Sequence, residues 1–302
     1  MKYRVVSSGL KLRSNPPSFD DSVVLVEMSF GTVIELIEQS ASDWWKVRLE
    51  DSDEEGFVFS EYIEPYNEAW EVLENVEVPN SVPIVGASLE SKEELYRPIG
   101  GSVVPFRDLT NLDSKLESIQ KIIATLDVSS SIRHQKINSD TYCNIYAIDY
   151  CFFCRVYVPR LRWTDKGISL LAKGEEVPIV LNDTVRPYYS NFLCEWFLQS
   201  GRDFGWERIL DVDELQRKVN DNGGVGIICA KRIAEGKSGH IVVVVPETGT
   251  DKAYRVDGKV IYPLQSQAGE MNYNYYSEIR KDWWNNKEPE KGYSSYVFYY
   301  HD

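Results

Sequence analysis

At 302 residues the chain is longer than one ordinary domain, and two domains are expected. Apolar residues at 43% and charged residues at 26% give the composition of a soluble globular protein with a sizeable core. The formal charge of −14 argues against the basic stripe of a nucleic-acid binder and against tight binding to an anionic membrane. No run approaches the roughly 18 to 20 apolar residues of a membrane span. The opening MKYRVVSSGLKLRS has no apolar h-region, so no conventional signal peptide is expected in these residues. Of five cysteines, Cys151, Cys154, Cys194 and Cys229 lie inside apolar runs, so a disulfide framework is not expected and a reducing compartment is. A protein of this sequence acting on the outside of a cell would leave by a route the residues do not show, or after losing a leader.

Tyr3 to Pro65 reads as a succession of short strands. Leu10-Lys11-Leu12-Arg13 runs into Ser14-Asn15-Pro16-Pro17, where proline fixes φ, removes a donor and forces a turn. Thr32 to Ile37 follows Gly31. Trp44 to Leu49 alternates as a half-buried strand does, and Gly56-Phe57-Val58-Phe59 precedes Glu61-Tyr62-Ile63. Short strands at this spacing, with turn signals between them, indicate a small all-β barrel over residues 1–66. Trp44, Trp45 and Phe57 are expected to fill its core.

The same stretch resembles the bacterial SH3-like domain in its leucine–arginine–serine turn (Leu10, Arg13, Ser14), the glycine before a strand (Gly31), the tryptophan–lysine–valine strand (Trp44 to Val47) and the closing glycine–aromatic–valine strand (Gly56 to Val58). The resemblance implies an SH3-like barrel that binds cell-wall peptide or shapes a neighbouring hydrolase's cleft.

Residues 67–105 hold Pro79, Pro83, Pro98, Gly100-Gly101 and the acidic run Glu90 to Glu94, and keep neither structural period for long. They read as a connecting segment. In Asp113 to Leu126 the residues Leu116, Ile119, Ile122, Ile123 and Leu126 share one helical face, with Asp113 or Ser114 as cap. A second domain over 106–302 begins near this helix. A helix from Cys143, a loop after Pro159, a helix over Asp211 to Asn220, and strands at Val225 to Arg232, His240 to Val245, Tyr254 to Leu264 and Ser295 to Tyr300 complete it. Helices ahead of an antiparallel sheet are α+β ordering.

Cys143 stands where the apolar run of Thr141 to Pro159 begins, between Tyr142 and Asn144. A thiol at a helix start meets the positive end of the macrodipole, which favours the thiolate. Cys151-x-x-Cys154 lies mid-helix beside Phe152 and Phe153 with no second pair at zinc spacing, and reads as core packing. Of three histidines, His301 is penultimate and His134 lies in a polar loop, whereas His240 heads a strand after Ser238-Gly239. An imidazole there suits a general base that takes a thiol proton and returns it to a leaving amine.

This pairing resembles the papain-like CHAP and NlpC-type amidases. Cys143-Asn144-Ile145-Tyr146 matches their cysteine–asparagine–aromatic helix start, Gly239-His240-Ile241-Val242-Val243 their glycine–histidine strand, and Pro159-Arg160 their helix exit. The resemblance spans about Leu109 to the C-terminus and implies a nucleophile at Cys143, a base at His240 and a third polar residue that orients the base. For the third, Gln267 and Gln265 share a strand face. Gln267 is preferred slightly, and Glu247 follows at a distance. A neutral amide oxygen accepts an imidazole N–H and fixes its tautomer. The backbone N–H of Cys143, with Tyr142 as the nearest side chain, would form the oxyanion hole. Trp163, Arg160 and Arg162 would line the cleft, the arginines facing a substrate carboxylate or else standing in a solvated turn.

The expected protein is a cysteine amidase or peptidase that cuts an amide bond in peptidoglycan stem peptides through a thioester, without metal or cofactor. Which bond it cuts and its oligomeric state stay open. Two alternatives remain: a catalytically silent cell-wall binding protein of papain-like fold, and an acyltransferase or antibacterial toxin of the same fold.

Overall fold

The structure is a computed structural model and describes residues 1–5, 10–28, 32–40, 43–50, 52–66, 95–96, 99, 104–138, 140–279 and 281–302. Gly31 and most of the connecting segment lie outside the described residues. The chain divides into two compact units, Met1–Glu77 with Trp163–Arg186, and Val78–Arg162 with Pro187–Asp302. Trp163–Arg186, expected in the C-terminal domain, therefore groups with the N-terminal residues.

In the first unit, β1 (Lys2–Val5), β2 (Leu10–Arg13), β3 (Val24–Met28), β4 (Val33–Glu38), β5 (Trp44–Leu49), β6 (Glu55–Phe59) and β7 (Ile63–Pro65) form one sheet in the order β3-β2-β6-β5-β4-β1-β7. The two-residue period of the strands buries Leu10, Leu12, Ile34, Val47, Leu49 and Val58. Gly56 is needed at the β2–β6 contact, since a Cβ there would lie 2.5 Å from the Arg13 carbonyl oxygen. Trp44, Trp45 and Phe57 are half-buried and do not fill the core as expected. Aliphatic residues occupy the inner face, while Trp45 stands edge-on to Tyr3 at 5.8 Å and Trp44 edge-on to Phe59 at 5.5 Å.

The second unit contains α1 (Leu112–Leu126) and α2 (Cys143–Phe153); the strands β8 (Leu161–Trp163) and β9 (Val185–Pro187), each with residues of both units, make a two-stranded sheet. Between those strands the first unit carries α3 (Asp165–Ala172). The chain continues through α4 (Ser190–Gln199), β10 (Glu207–Ile209), α5 (Val212–Asn222), β11 (Val225–Arg232), β12 (His240–Val244), β13 (Tyr254–Val256), β14 (Lys259–Tyr262), β15 (Gln265–Gln267), β16 (Tyr273–Tyr276) and β17 (Tyr293–His301). The cap of α1 is Asn111, whose side chain accepts from the Ser114 N–H at 2.9 Å, ahead of the expected caps Asp113 and Ser114. The expected strand from Tyr254 to Leu264 is a hairpin, β13–β14, because Asp257 and Gly258 both take positive φ.

Six antiparallel strands in the order β10-β17-β11-β12-β15-β16 form the central sheet. Ile227, Cys229, Ile241 and Val243 pack with residues of α1, α2 and α4. The alternate residues Ile228, Ala230, Val242 and Val244 pack with Leu215 and Val219 of α5 and with Trp283 and Trp284. Covering on both faces explains why β11 and β12 read as continuous apolar runs rather than alternating ones.

Contrary to expectation, Cys194 of α4 and Cys229 of β11 form a disulfide, with Cα atoms 5.5 Å apart. Their apolar surroundings reflect the packing of α4 on β11, which brings the two sulfurs together. Cys143, Cys151 and Cys154 are free and buried. No helix among the described residues is long and apolar enough to cross a membrane.

Candidate active site

Cys143 is the first residue of α2, so its amide is among the first-turn N–H groups that have no acceptor within a helix. Its sulfur lies 3.1 Å from the Ser190 hydroxyl oxygen, and both residues are buried, at 3% and 1% exposure. Ser190 is in turn the first residue of α4. Two helix starts therefore converge on one thiol. The next residue, Asn191, donates to the Lys237 carbonyl at 3.0 Å and accepts from the Arg232 N–H at 3.2 Å, which pins the turn leading into β12. A Cβ on Gly239 would meet the Asn191 side-chain oxygen at 2.5 Å and the Ala230 carbonyl oxygen at 2.2 Å, so only glycine fits immediately before His240. The starts of α2, α4 and β12 thus meet at one end of the sheet, and α2 packs along β12 and β15.

His240 is buried and its Nε2 lies 2.6 Å from Oε1 of Gln267. The Gln267 amide nitrogen donates to the Met271 carbonyl at 2.9 Å, and its oxygen lies 3.2 Å from the Tyr276 hydroxyl oxygen. That network fixes which end of the amide is oxygen, because a carbonyl only accepts. The imidazole must then donate from Nε2, and the neutral ring carries its lone pair on Nδ1. Trp283 packs edge-on against the imidazole with centroids 4.7 Å apart. Gln265 does not contact His240 in this way. Its oxygen accepts from the Trp283 N–H at 2.9 Å and the Tyr276 hydroxyl at 3.0 Å, so it holds the aromatic wall beside the His240 ring. Glu247 is taken up by Arg255 at 2.6 and 2.8 Å and by Asn220 at 2.7 Å. Burial opposes its charge, yet these partners keep its carboxyl below the usual range.

Tyr142 precedes α2 and is buried. Tyr96, from the connecting segment, hydrogen-bonds Tyr189 and lies near Tyr142, and burial followed by these neighbours raises its phenol well above the ordinary value. Aromatic residues therefore precede both helix starts.

The expected cleft residues lie elsewhere. Arg160 is 1% exposed and donates to Asp149 at 2.7 Å, within a cluster that also holds Arg133 at 2.7 Å and His134 at 3.1 Å from the same carboxylate. Burial disfavours the Asp149 charge, but Arg160 and Arg133 overcome it and hold the carboxyl well below its ordinary range. A guanidinium committed beneath α2 does not meet a substrate carboxylate, which corrects that expectation for Arg160. Arg162 stacks over Phe192 at 4.7 Å. Trp163 belongs to the first unit and is buried against Gly167. His134, in the polar loop before α2, is buried as the partner of Asp149.

Sequence reasoning missed Ser190, Asn191, Tyr276 and Trp283. The run Ser190-Asn191-Phe192-Leu193-Cys194-Glu195-Trp196-Phe197 carries a helix signal that would have located the first two. No group of three or more His, Cys, Asp or Glu that could hold a metal occurs among the described residues.

No protein-family model matches the chain, and no curated protein matches it. Among solved structures the chain is similar to NlpC2 from Trichomonas vaginalis, with 8% identity, a TM-score of 0.23, and coverage of 92% of this chain and 71% of that one.

Proposed function

We propose that the protein is a cysteine hydrolase that cuts an amide bond, with Cys143 as nucleophile, His240 as base and Gln267 as the residue that orients the base. The observation that carries this reading is the 2.6 Å contact from His240 Nε2 to the Gln267 amide oxygen. It commits the imidazole to the tautomer a general base needs, at the sheet end where the Cys143 helix begins. In the proposed reaction the thiol proton passes to Nδ1 and the sulfur bonds to the substrate carbonyl carbon. The first-turn N–H of α2 receives the developing oxyanion. The C–N bond then breaks as His240 protonates the amine, and water, deprotonated by the same ring, hydrolyses the thioester to a carboxylate.

The substrate class, peptidoglycan stem peptides, rests on the resemblance of Cys143–Tyr146 and Gly239–Val243 to NlpC and CHAP-type amidases. On the same footing the N-terminal sheet is an SH3-like wall-binding barrel. The test is cleavage of purified muropeptides by wild type and Cys143→Ala, followed by mass spectrometry. Loss of cleavage in the variant is expected, and undiminished cleavage would overturn the assignment.

A further inference from the structure

We propose that Ser190 is a positioning residue for the thiolate: its hydroxyl donates to the Cys143 sulfur and holds the charged form of the nucleophile. The inference rests on the hydrolase reading and adds to it a role for the start of α4.

The contact is 3.1 Å, and among the described residues it is the hydrogen bond of the sulfur. Both groups are almost fully buried, so water competes little for either. In the neutral pair either atom can donate. Once the thiol loses its proton only the serine can, because a thiolate has no hydrogen and a hydroxyl has one. The contact therefore strengthens on ionisation, and a hydrogen bond made to the charged form favours that form. Both residues are first in their helices, so the partial positive ends of α2 and α4 face the same atom and act in the same direction. Ser190 is also held firmly. Asn191 ties the backbone beside it to the turn before β12, and Cys194, one helical turn later, is bonded to Cys229. A donor fixed in this way does not need to reorganise when charge appears on sulfur.

The experiment is iodoacetamide alkylation of the full, oxidised chain across pH 5 to 10, read by peptide mass mapping at Cys143. Cys151 and Cys154 are silent controls: burial pushes the Cys151 thiol far up and the Cys154 thiol up to about 12. Ser190→Ala is expected to slow alkylation near pH 7 by about tenfold, the size of one hydrogen bond to a charged group. It should move the rate–pH midpoint upward and leave the limiting rate at high pH unchanged. Ser190→Thr, which keeps the hydroxyl, should restore the wild-type midpoint. If the alanine chain does not fold, Ser190→Thr alone carries the test, and a midpoint shifted from wild type in that variant overturns the proposal.

A merely structural serine would alter the limiting rate or the melting temperature without moving the midpoint, and that result overturns the proposal. A threonine variant that behaves like alanine overturns it too. A wild-type Cys143 unreactive at every pH would sink the hydrolase reading and this inference together, whereas a reactive thiol indifferent to Ser190 sinks only this inference.

Discussion

The imidazole of His240 and the side-chain amide of Gln267 share a hydrogen bond of 2.6 Å between two residues 27 positions apart, both buried. Gln267→Ala removes the acceptor and leaves the ring free to rotate or change tautomer. Part of the roughly 10²- to 10⁴-fold contribution of a general base should then disappear, giving a fall in kcat of about a hundredfold. Gln267→Glu keeps an acceptor at the same place and should retain more activity than alanine. Steady-state kinetics on a muropeptide checks both, and an alanine variant as fast as wild type would show that Gln267 does not orient the base.

Gly239 is the steric hinge of the same assembly. A methyl group there would overlap the Ala230 carbonyl oxygen at 2.2 Å, a backbone atom that cannot swing aside. Gly239→Ala should push the start of β12 away from α4, at a stability cost of about 1 to 3 kcal/mol typical of overpacking. Activity should fall by more than that loss of folded protein explains, because His240 moves with the strand. Urea melts alongside kinetics separate the two effects.

Much of the fold was legible because it is local. The spacing of Ile119, Ile122, Ile123 and Leu126 announced the buried face of α1, and the apolar runs at Val225 and His240 announced two adjacent strands. The strand spacing of the first 65 residues was equally plain. What stayed hidden depends on pairs distant in sequence. Arg160 reads as a loop cation, and only the folding of α2 puts Asp149 against it. Cys194 and Cys229 read as core thiols until α4 settles on β11. Ser190 carries no chemical signal of its own. It matters because the helix it begins ends up beside Cys143, 47 residues away. Gln267 and Gln265 could be named but not ranked firmly, since alternation puts both on one face and only the folded positions of His240 and Trp283 give them separate partners.

The Asp149 cluster makes stability depend on acid. Its carboxyl is held below the ordinary value in the folded chain, so its contribution is complete above about pH 4, the unfolded pKa, and is lost as pH falls through the folded value. Melting temperatures measured from pH 5 down to pH 2 should decline for wild type and decline less for Asp149→Asn. Asp149→Ala leaves the buried Arg160 guanidinium without its carboxylate and should cost about 3 to 5 kcal/mol at neutral pH. An alanine variant within 1 kcal/mol of wild type, about the worth of an exposed pair, would mean the cluster is not the buried network described.

The disulfide between Cys194 and Cys229 closes a loop with a sequence separation of 35. Constraining a loop of that length in the unfolded chain is worth about 4 kcal/mol in the chain-entropy treatment. Denaturation of the oxidised protein should therefore be shifted by that amount relative to a Cys194→Ala, Cys229→Ala double variant, and a reductant should bring wild type down toward the variant. Because α4 also carries Ser190, reduction has a second expected consequence. Its first turn is less firmly fixed to β11, and Cys143 alkylation near neutral pH should slow in the reduced protein before global unfolding sets in. Equal stability of oxidised and reduced chains would show that the two sulfurs are not bonded in solution.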